Sequence, residues 1–308
     1  MATSILITGA SGLVGTRLTE LLLQKGYHVA HLGRSKKKGT VPSFVWDVDK
    51  KMVDPDALDG VDMIIHLAGA GVADQRWSTQ RKQEIQLSRT RSSALLYETL
   101  KTRTHKVKAL ISASAIGFYG FSLNSTLFTE ASKPGTDFLS SVVVRWENEV
   151  DSISTLGIRV ARIRIGIVLS EKGGALKEMA RPIRYGVGAP LGTGEQIVSW
   201  IHLDDLCEMF IKAIEDSTLS GAYNAVAPHP VTNREMTKAI AKVLHRPLWL
   251  PSIPGFILSI LVGEMAEIVL NGSNVSSERI QKTGFKFQFE NLDDALRNLL
   301  QPQSPINT

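Results

Sequence analysis

The sequence predicts an α/β fold built on a doubly wound parallel sheet, and three observations carry that expectation. Apolar runs of strand length alternate with helix-like segments through the first two thirds of the chain. The first such run, SILIT, breaks into GASGLVG, three glycines at three-residue spacing where a strand gives way to a helix. Hydrophobic residues make up 43% of the 308 and charged residues 21%, a globular balance in a chain long enough to bury about 75% of its unfolded surface. Such alternation calls for helical crossovers between parallel strands, with helices on both faces of the sheet.

The elements follow in order. Residues 4–9 read as a buried strand, and Leu13 to Leu23 as a helix with apolar positions at helical spacing, stopped at Gly26. HVAHLG (28–33), FVWD (44–47), MIIHLAG (63–69), VKALISAS (107–114) and RVARIRIGIVLS (159–170) read as further strands, with crossovers over 77–101 and 138–157. After about residue 173 the pattern loosens. A glycine-rich segment (173–196) precedes a short strand, IVSWIH (197–202); a helix starts under LDDL, and another is capped at Thr232 or Asn233. GAPLGTGEQ (188–196) has the composition of a mobile rim. The apolar stretch 253–270, interrupted by Gly263, Glu264 and Glu267, falls short of a membrane span and reads as an amphipathic helix. FKFQF (285–289) reads as a short strand pair. The expected division is a nucleotide-binding domain over 1–172, with the strand near 197–202 a candidate to rejoin it, and a smaller C-terminal α/β substrate-side region over 173–308 with a tail at about 250–300.

Composition excludes several classes of function. The formal charge is +5, concentrated locally in Arg34, Lys36, Lys37 and Lys38, but aromatics are 6% and no recognition motif accompanies the cations, so no nucleic-acid partner is expected. Cys207 is the only cysteine, which removes disulfides and cysteine-built metal sites; no metal is expected. A first strand beginning by residue 4 or 5 leaves no room for a leader, and the expected location is cytoplasmic, with no membrane partner. The glycosylation-type triplets at Asn124, Asn271 and Asn274 then read as chance matches, and the last few residues, QPQSPINT, as a disordered tail.

Chemistry concentrates at the strand ends. Gly9, Gly12 and Gly15, with Ser11, Leu13 and Val14 between and beside them, form a turn whose backbone can approach a pyrophosphate at a helix N-terminus. Where an NAD-binding strand ends in a carboxylate for the ribose 2′-OH, this chain has Gly33, Arg34 and Ser35. A guanidinium grips a 2′-phosphate, so NADP(H) is the expected cofactor. Leu67, Ala68 and Gly69 supply small residues where the cofactor passes, while His66 reads as packed within its strand. Ser112, Ser114 and Tyr119 fall at or just beyond the carboxyl end of another strand, where such sheets bind ligands.

GASGLVG, HLAG, RWSTQRKQEIQLSR, SASAIGFYG, RIGIVLSEKGGAL, GAPLGTGEQIVSWIHLDDL, YNAVAPHPVTN and GEMAEIVLNGSNVSSERIQKTGF together resemble an atypical extended short-chain dehydrogenase/reductase, of the NAD-dependent epimerase-like, YfcH-type family. The resemblance covers essentially the whole chain. It implies a Rossmann-type fold with a small C-terminal domain and NADP(H) binding, with Arg34 on the 2′-phosphate, Leu67 and Ala68 along the cofactor, Glu84 and Arg89 near it, and Ile165, Gly166 and Ile167 bordering the nicotinamide. Reductases and epimerases of this kind use a Tyr-x-x-x-Lys pair, the lysine lowering the phenol's pKa. This chain has that spacing only at Tyr97 and Lys101, before the strand that should precede it, and we read the pair as a decoy. The helix that should hold the dyad, FLSSVVVRWENEV, has neither residue. Tyr119, with Ser114 and Ser112, becomes the candidate proton-transfer group. His202 and Arg164 are candidate substrate contacts, Arg164 together with Arg181 and Arg184 suiting an anionic substrate such as a sugar diphosphate. The expected function is an oxidoreductase or epimerase-like enzyme acting on an unidentified small molecule as a monomer or homodimer; the alternative is a protein that senses NADP(H) without turnover.

Overall fold

A computed structural model describes residues 3–36, 38–121 and 126–301. Lys37 of the basic cluster, Asn124 and the tail 302–308 lie outside the described residues. The chain runs β1 (Ser4–Thr8), α1 (Leu13–Gln24), β2 (His28–Gly33), β3 (Ser43–Asp47), β4 (Met52–Val53), β5 (Met63–His66), α2 (Thr79–Thr102), β6 (Ala109–Ala115), β7 (Leu127–Phe128), α3 (Phe138–Ser152) and β8 (Arg159–Ile165). It continues with β9 (Ile167–Leu169), α4 (Ala175–Arg184), β10 (Ile197–Val198), β11 (Trp200–His202), α5 (Leu203–Glu215), β12 (Gly221–Ala225), β13 (Val231–Thr232) and α6 (Asn233–Val243). The last elements are α7 (Gly255–Val262), α8 (Ala266–Leu270), β14 (Asn274–Val275), α9 (Glu278–Gln281) and α10 (Leu292–Leu300).

An eight-stranded sheet has the order β12-β8-β6-β5-β1-β2-β3-β4. β1 pairs in parallel with β2 on one side and β5 on the other, β2 with β3 and β5 with β6; β4 folds back antiparallel on β3. The chain leaves β1 first toward β2 and later toward β5, so the strand order reverses at β1. The crevice at such a reversal, beyond the carboxyl ends of the strands, is where ligands bind in this architecture. Ile5, Leu6, Ile7, Ile64 and Ile65 are completely buried, because a parallel sheet covered on both faces leaves its central strands no polar side.

Two compact units emerge. The first comprises residues 1–120, 133–164 and 207–223, the second 121–132, 165–206 and 224–308. The chain therefore crosses between the units several times, with 133–164 and 207–223 each returning to the first. In the second unit Trp200, Met236, Ile240, Leu176 and Leu296 form a separate core from α4, α6, α10 and β11.

Three local expectations change. FKFQF forms no strand: the N–H groups of Gln288 and Phe289 donate to the Asp205 carboxylate at 2.7 and 3.0 Å, which satisfies them without a neighbouring strand. Residues 253–270 are not one helix, since Gly263 at φ +64° ends α7 and a single 3-10 turn leads into α8. GAPLGTGEQ is pinned along its length. Leu191 N–H donates to Asn233 Oδ1 (2.8 Å), Gly192 N–H to Ile253 O (2.8 Å), and Gln196 Nε2 to Leu191 O and Val269 O (3.0 and 2.7 Å).

Candidate functional site

The glycine turn is set by contacts that only glycine tolerates. Gly9 has φ +68°, and a Cβ there would lie 2.7 Å from the carbonyl carbon and oxygen of Leu67. A Cβ on Gly15 would lie 2.6 Å from Ala10 Cα and Gly9 O. Gly12 N–H closes the turn onto Gly9 O (3.0 Å), and no side chain caps α1. The N–H groups of the first turn, Leu13 to Gly15, are thus left for an anion.

Beyond this turn lies a cavity of about 630 Å³. Its walls come from Gly9, Ala10, Ser11 and Gly12 after β1; Gly33, Arg34 and Ser35 after β2; and Leu67, Ala68 and Gly69 after β5. Trp46 near the end of β3, with Val48 and Asp49 just beyond it, completes one side, and Arg81, Glu84, Leu87, Ser88, Arg91 and Ser92 of α2 the other. Leu13, Val14 and Gly15 form the helical turn behind the lining. Sequence reasoning missed the β3 and most of the α2 contribution. A signal existed for both: FVWD ends at the same sheet edge as HVAHLG, and positions 84, 87, 88, 91 and 92 share one helix face with Glu84.

Buried polar groups lock the two strand ends together. Thr8 Oγ1 accepts from the N–H groups of Leu67 and Ala68 (3.1 and 3.3 Å), so its proton goes to His66 Nδ1 at 2.7 Å. His66 Nε2 then donates to Ser93 and Ser92 Oγ (3.2 and 3.3 Å), whose own protons are used on Arg89 O. The imidazole is neutral and structural. Burial, with Arg89 nearby, pushes its pKa from 6.5 to about 4.

Arg89 lies directly beneath Gly69, whose Cβ would come within 3.3 Å of the guanidinium carbon. It donates to Ile85 O (2.8 Å) and sits 5.2 Å from the centre of the Trp146 ring, with no carboxylate partner among the described residues. Burial first, and Arg81 second, push its pKa down to about 10. A cation so placed favours an anionic ligand. Arg81 itself is buried; it clamps Glu84 (2.6 Å), reaches Asp74 (3.5 Å) and donates to Gly71 O, which fixes Glu84 at the cavity wall.

The candidate proton-transfer groups form a different cluster and do not line this cavity. Arg164 holds the Glu147 carboxylate with Nε and Nη2, both at 2.8 Å, and donates Nη1 to Tyr119 Oη at 2.9 Å. Ser114 Oγ donates to Glu147 (2.6 Å), Arg162 adds a bond at 2.8 Å, and Ser112 donates to Ala113 O (2.8 Å). Burial works to raise the Glu147 carboxyl, yet Arg164, Arg162 and Ser114 together hold it below the usual carboxylate range. Arg164, a candidate substrate contact, is therefore engaged within the fold. His202 is likewise engaged: Nδ1 accepts from Asp204 N–H (3.0 Å), Nε2 meets Asn298 Oδ1 (3.2 Å), and the ring stacks on Phe289. Ile165, Gly166 and Ile167 belong to the second unit, where Gly166 and Ile167 donate backbone bonds to Ala225 and Ser199. Tyr97 and Lys101 stack on each other near the end of α2, away from the cavity wall.

A parallel sheet reversing at β1, a tight glycine turn that leaves the first N–H groups of α1 open, and a cavity across the strand ends define a dinucleotide-binding α/β protein. The comparisons with known proteins narrow this. The model of the NAD dependent epimerase/dehydratase family matches residues 5–226, and a domain of unknown function, DUF1731, matches 253–299. The chain belongs to the NAD-dependent epimerase/dehydratase family, as an atypical extended short-chain dehydrogenase/reductase. Epimerase family protein YfhF of Bacillus subtilis is 35% identical over 98% of this chain and 100% of its own length. The chloroplastic SDR39U1 homologue of Arabidopsis thaliana is 35% identical over 97% of this chain and 87% of its own. The crystal structure of human SDR39U1 with NADPH superposes with a TM-score of 0.87 at 30% identity, covering 96% of this chain and 99% of that one. A nucleoside-diphosphate sugar epimerase from Corynebacterium glutamicum gives 0.80 at 32% identity, covering 97% and 58%.

Proposed function

We propose that this protein is an NADP(H)-dependent oxidoreductase acting on a small molecule, with nucleotide sugars among its candidate substrates. The observation that carries this reading is Arg34, with Ser35, at the cavity wall after β2, where a carboxylate would accept a bond from a ribose 2′-OH and repel a phosphate. The residues present suit the cofactor. The glycine turn admits a pyrophosphate against the N–H groups of α1, Arg34 takes the 2′-phosphate, and Arg89 and Glu84 approach from α2. The relative solved with NADPH supports the same choice. Bound there, the cofactor supplies or accepts a hydride. Tyr119, held by Arg164, is the proposed source of the matching proton, with Ser114 joined to it through the Glu147 carboxylate and Ser112 two residues earlier on β6. The proposed location is cytoplasmic, as a monomer or homodimer.

A second reading, NADP(H) sensing without turnover, is favoured by one feature of α3. Leu139 and Val143, four residues apart, face the turn at Gly117 after β6, an apolar pair on the helix that holds the Tyr-x-x-x-Lys dyad in related reductases. Titration of nucleotide-free protein with NADPH and NADH, followed by nicotinamide fluorescence, tests the cofactor. NADPH should bind the more tightly, and Arg34→Asp should weaken it roughly 10- to 100-fold while barely changing NADH. Equal affinity before and after the substitution sinks the assignment. A carbonyl and nucleotide-sugar screen for NADPH oxidation or isomerisation, abolished by Tyr119→Phe, separates the enzyme from the sensor.

A further inference from the structure

Most of the large apolar side chains that the fold leaves in water are gathered in one part of the second unit, apart from Leu23, Met52 and Leu127. Tyr185, Val187, Trp249, Phe256, Ile257, Ile260 and Leu261 are all exposed, and α7 buries none of its eight residues. The segments form one surface. Trp249 Nε1 donates to Gly186 O at 2.8 Å, and Ile253, bridged to Leu191 and bonded to Pro190 O at 2.9 Å, leads from there into α7. Phe256, Ile257, Ile260 and Leu261 then recur at one-turn spacing along a single helix face.

The segments that carry this surface are predominantly basic, with Lys242 paired to Asp293 at 2.7 Å. Residues 179–194 and 236–263 contain no aspartate or glutamate, but do contain Arg181, Arg184, Lys238, Lys242, His245 and Arg246. Acids appear only at the borders, at Glu178, Glu195, Glu235 and Glu264. Arg181, Arg184 and Arg246 are exposed and pair with no carboxylate among the described residues. Protruding aromatic and aliphatic side chains flanked by unpaired arginines are the composition of an element that lies in the plane of an anionic membrane surface. A symmetric contact between two copies would have to bury these arginines against segments that carry no aspartate or glutamate of their own. At eight residues α7 is about 12 Å long, so it lies in the interface and does not span it.

We propose that this face is a peripheral docking surface for an anionic lipid bilayer, with α7 and Trp249 seated at the level of the upper acyl chains and Arg181, Arg184 and Arg246 among the phosphates. No membrane partner is expected of a chain that lacks a span, but an in-plane surface needs none.

Sedimentation of the full chain with phosphatidylcholine vesicles, and with vesicles containing phosphatidylserine as well, tests this. Each arginine near an anionic leaflet contributes about fivefold, so three predict a preference for the anionic vesicles of on the order of a hundredfold, falling as salt rises. Phe256→Ser with Ile260→Ser, and separately Arg184→Glu with Arg246→Glu, should each abolish sedimentation while leaving the circular dichroism melt within a few degrees of the parent. Absence of sedimentation in the parent, or sedimentation unchanged by both variant pairs, overturns the proposal. So does a dimer by light scattering that the Phe256→Ser, Ile260→Ser pair dissociates in a protein that ignores vesicles, which would assign the face to a second copy.

Discussion

His66 is completely buried between Thr8 and the serines of α2, and its hydrogen bonds fix it as the neutral tautomer with the proton on Nε2. Unfolding returns the ring to water, where it titrates near its ordinary 6.5, whereas in the fold it titrates at about 4. The folded pKa is depressed, so below pH 6.5 the unfolded chain binds a proton that the folded one refuses. The contribution is complete above 6.5 and is lost as pH falls toward 4, to a total of about 3 kcal/mol. His66→Gln should therefore be less stable at pH 7.5, yet lose less on going to pH 4.5 than the parent does, when both are unfolded in urea. Parallel losses in the two proteins would mean that the folded ring takes up its proton over the same pH range as the unfolded one. The same residue shows what can be read from sequence at this level: an apolar strand predicted a packed histidine, but nothing in HLAG named Thr8, Ser92 and Ser93, which lie 58, 26 and 27 positions away.

α3, β6 and β8 are tied by one buried carboxylate. Glu147 on α3 receives Arg164 and Arg162 from β8 and Ser114 from β6, and both Glu147 and Arg164 are almost fully enclosed. Removing the charge of one partner leaves the other buried without compensation, which costs about 3–5 kcal/mol. Glu147→Gln should lower urea stability by that amount, whereas Glu149→Gln, half-buried on the same helix and in no ion pair among the described residues, should change it by less than about 0.5 kcal/mol. A small loss at Glu147 would show that Arg164 finds water or another partner. Elements with regular periodicity were legible in advance; α1 and α2 begin within two residues of their expected starts. FKFQF was not, because its alternation signalled burial correctly while Asp205, from the start of α5, supplied the hydrogen bonds a strand would have provided. Glycine content likewise mimicked mobility in GAPLGTGEQ, whose anchors at Asn233, Ile253 and Val269 are remote in sequence.

The cavity is lined wholly from the first unit, by the ends of β1, β2, β3 and β5 and one face of α2, although these pieces span residues 9 to 92. The glycine turn and Arg34 announce it because a short segment carries the whole requirement for backbone approach and charge. The α2 face was fainter, since a helix packed on a sheet shows the same apolar spacing whether or not its edge meets a ligand. A ligand gripping this cavity binds the folded chain and not the unfolded one, so NADPH at 100 times its dissociation constant should stabilise the protein by about 2.7 kcal/mol and raise its melting temperature. The protection should also be local. Amide hydrogen exchange should slow at residues 9–15, 31–35, 67–71 and 84–92, which meet the cavity or support its lining. Residues 233–243 and 292–300, whose side chains build the second unit's own core, should exchange at unchanged rates. Slowing confined to the second unit would place the nucleotide elsewhere, and slowing of both would show that its grip extends beyond the strand ends that form the cavity.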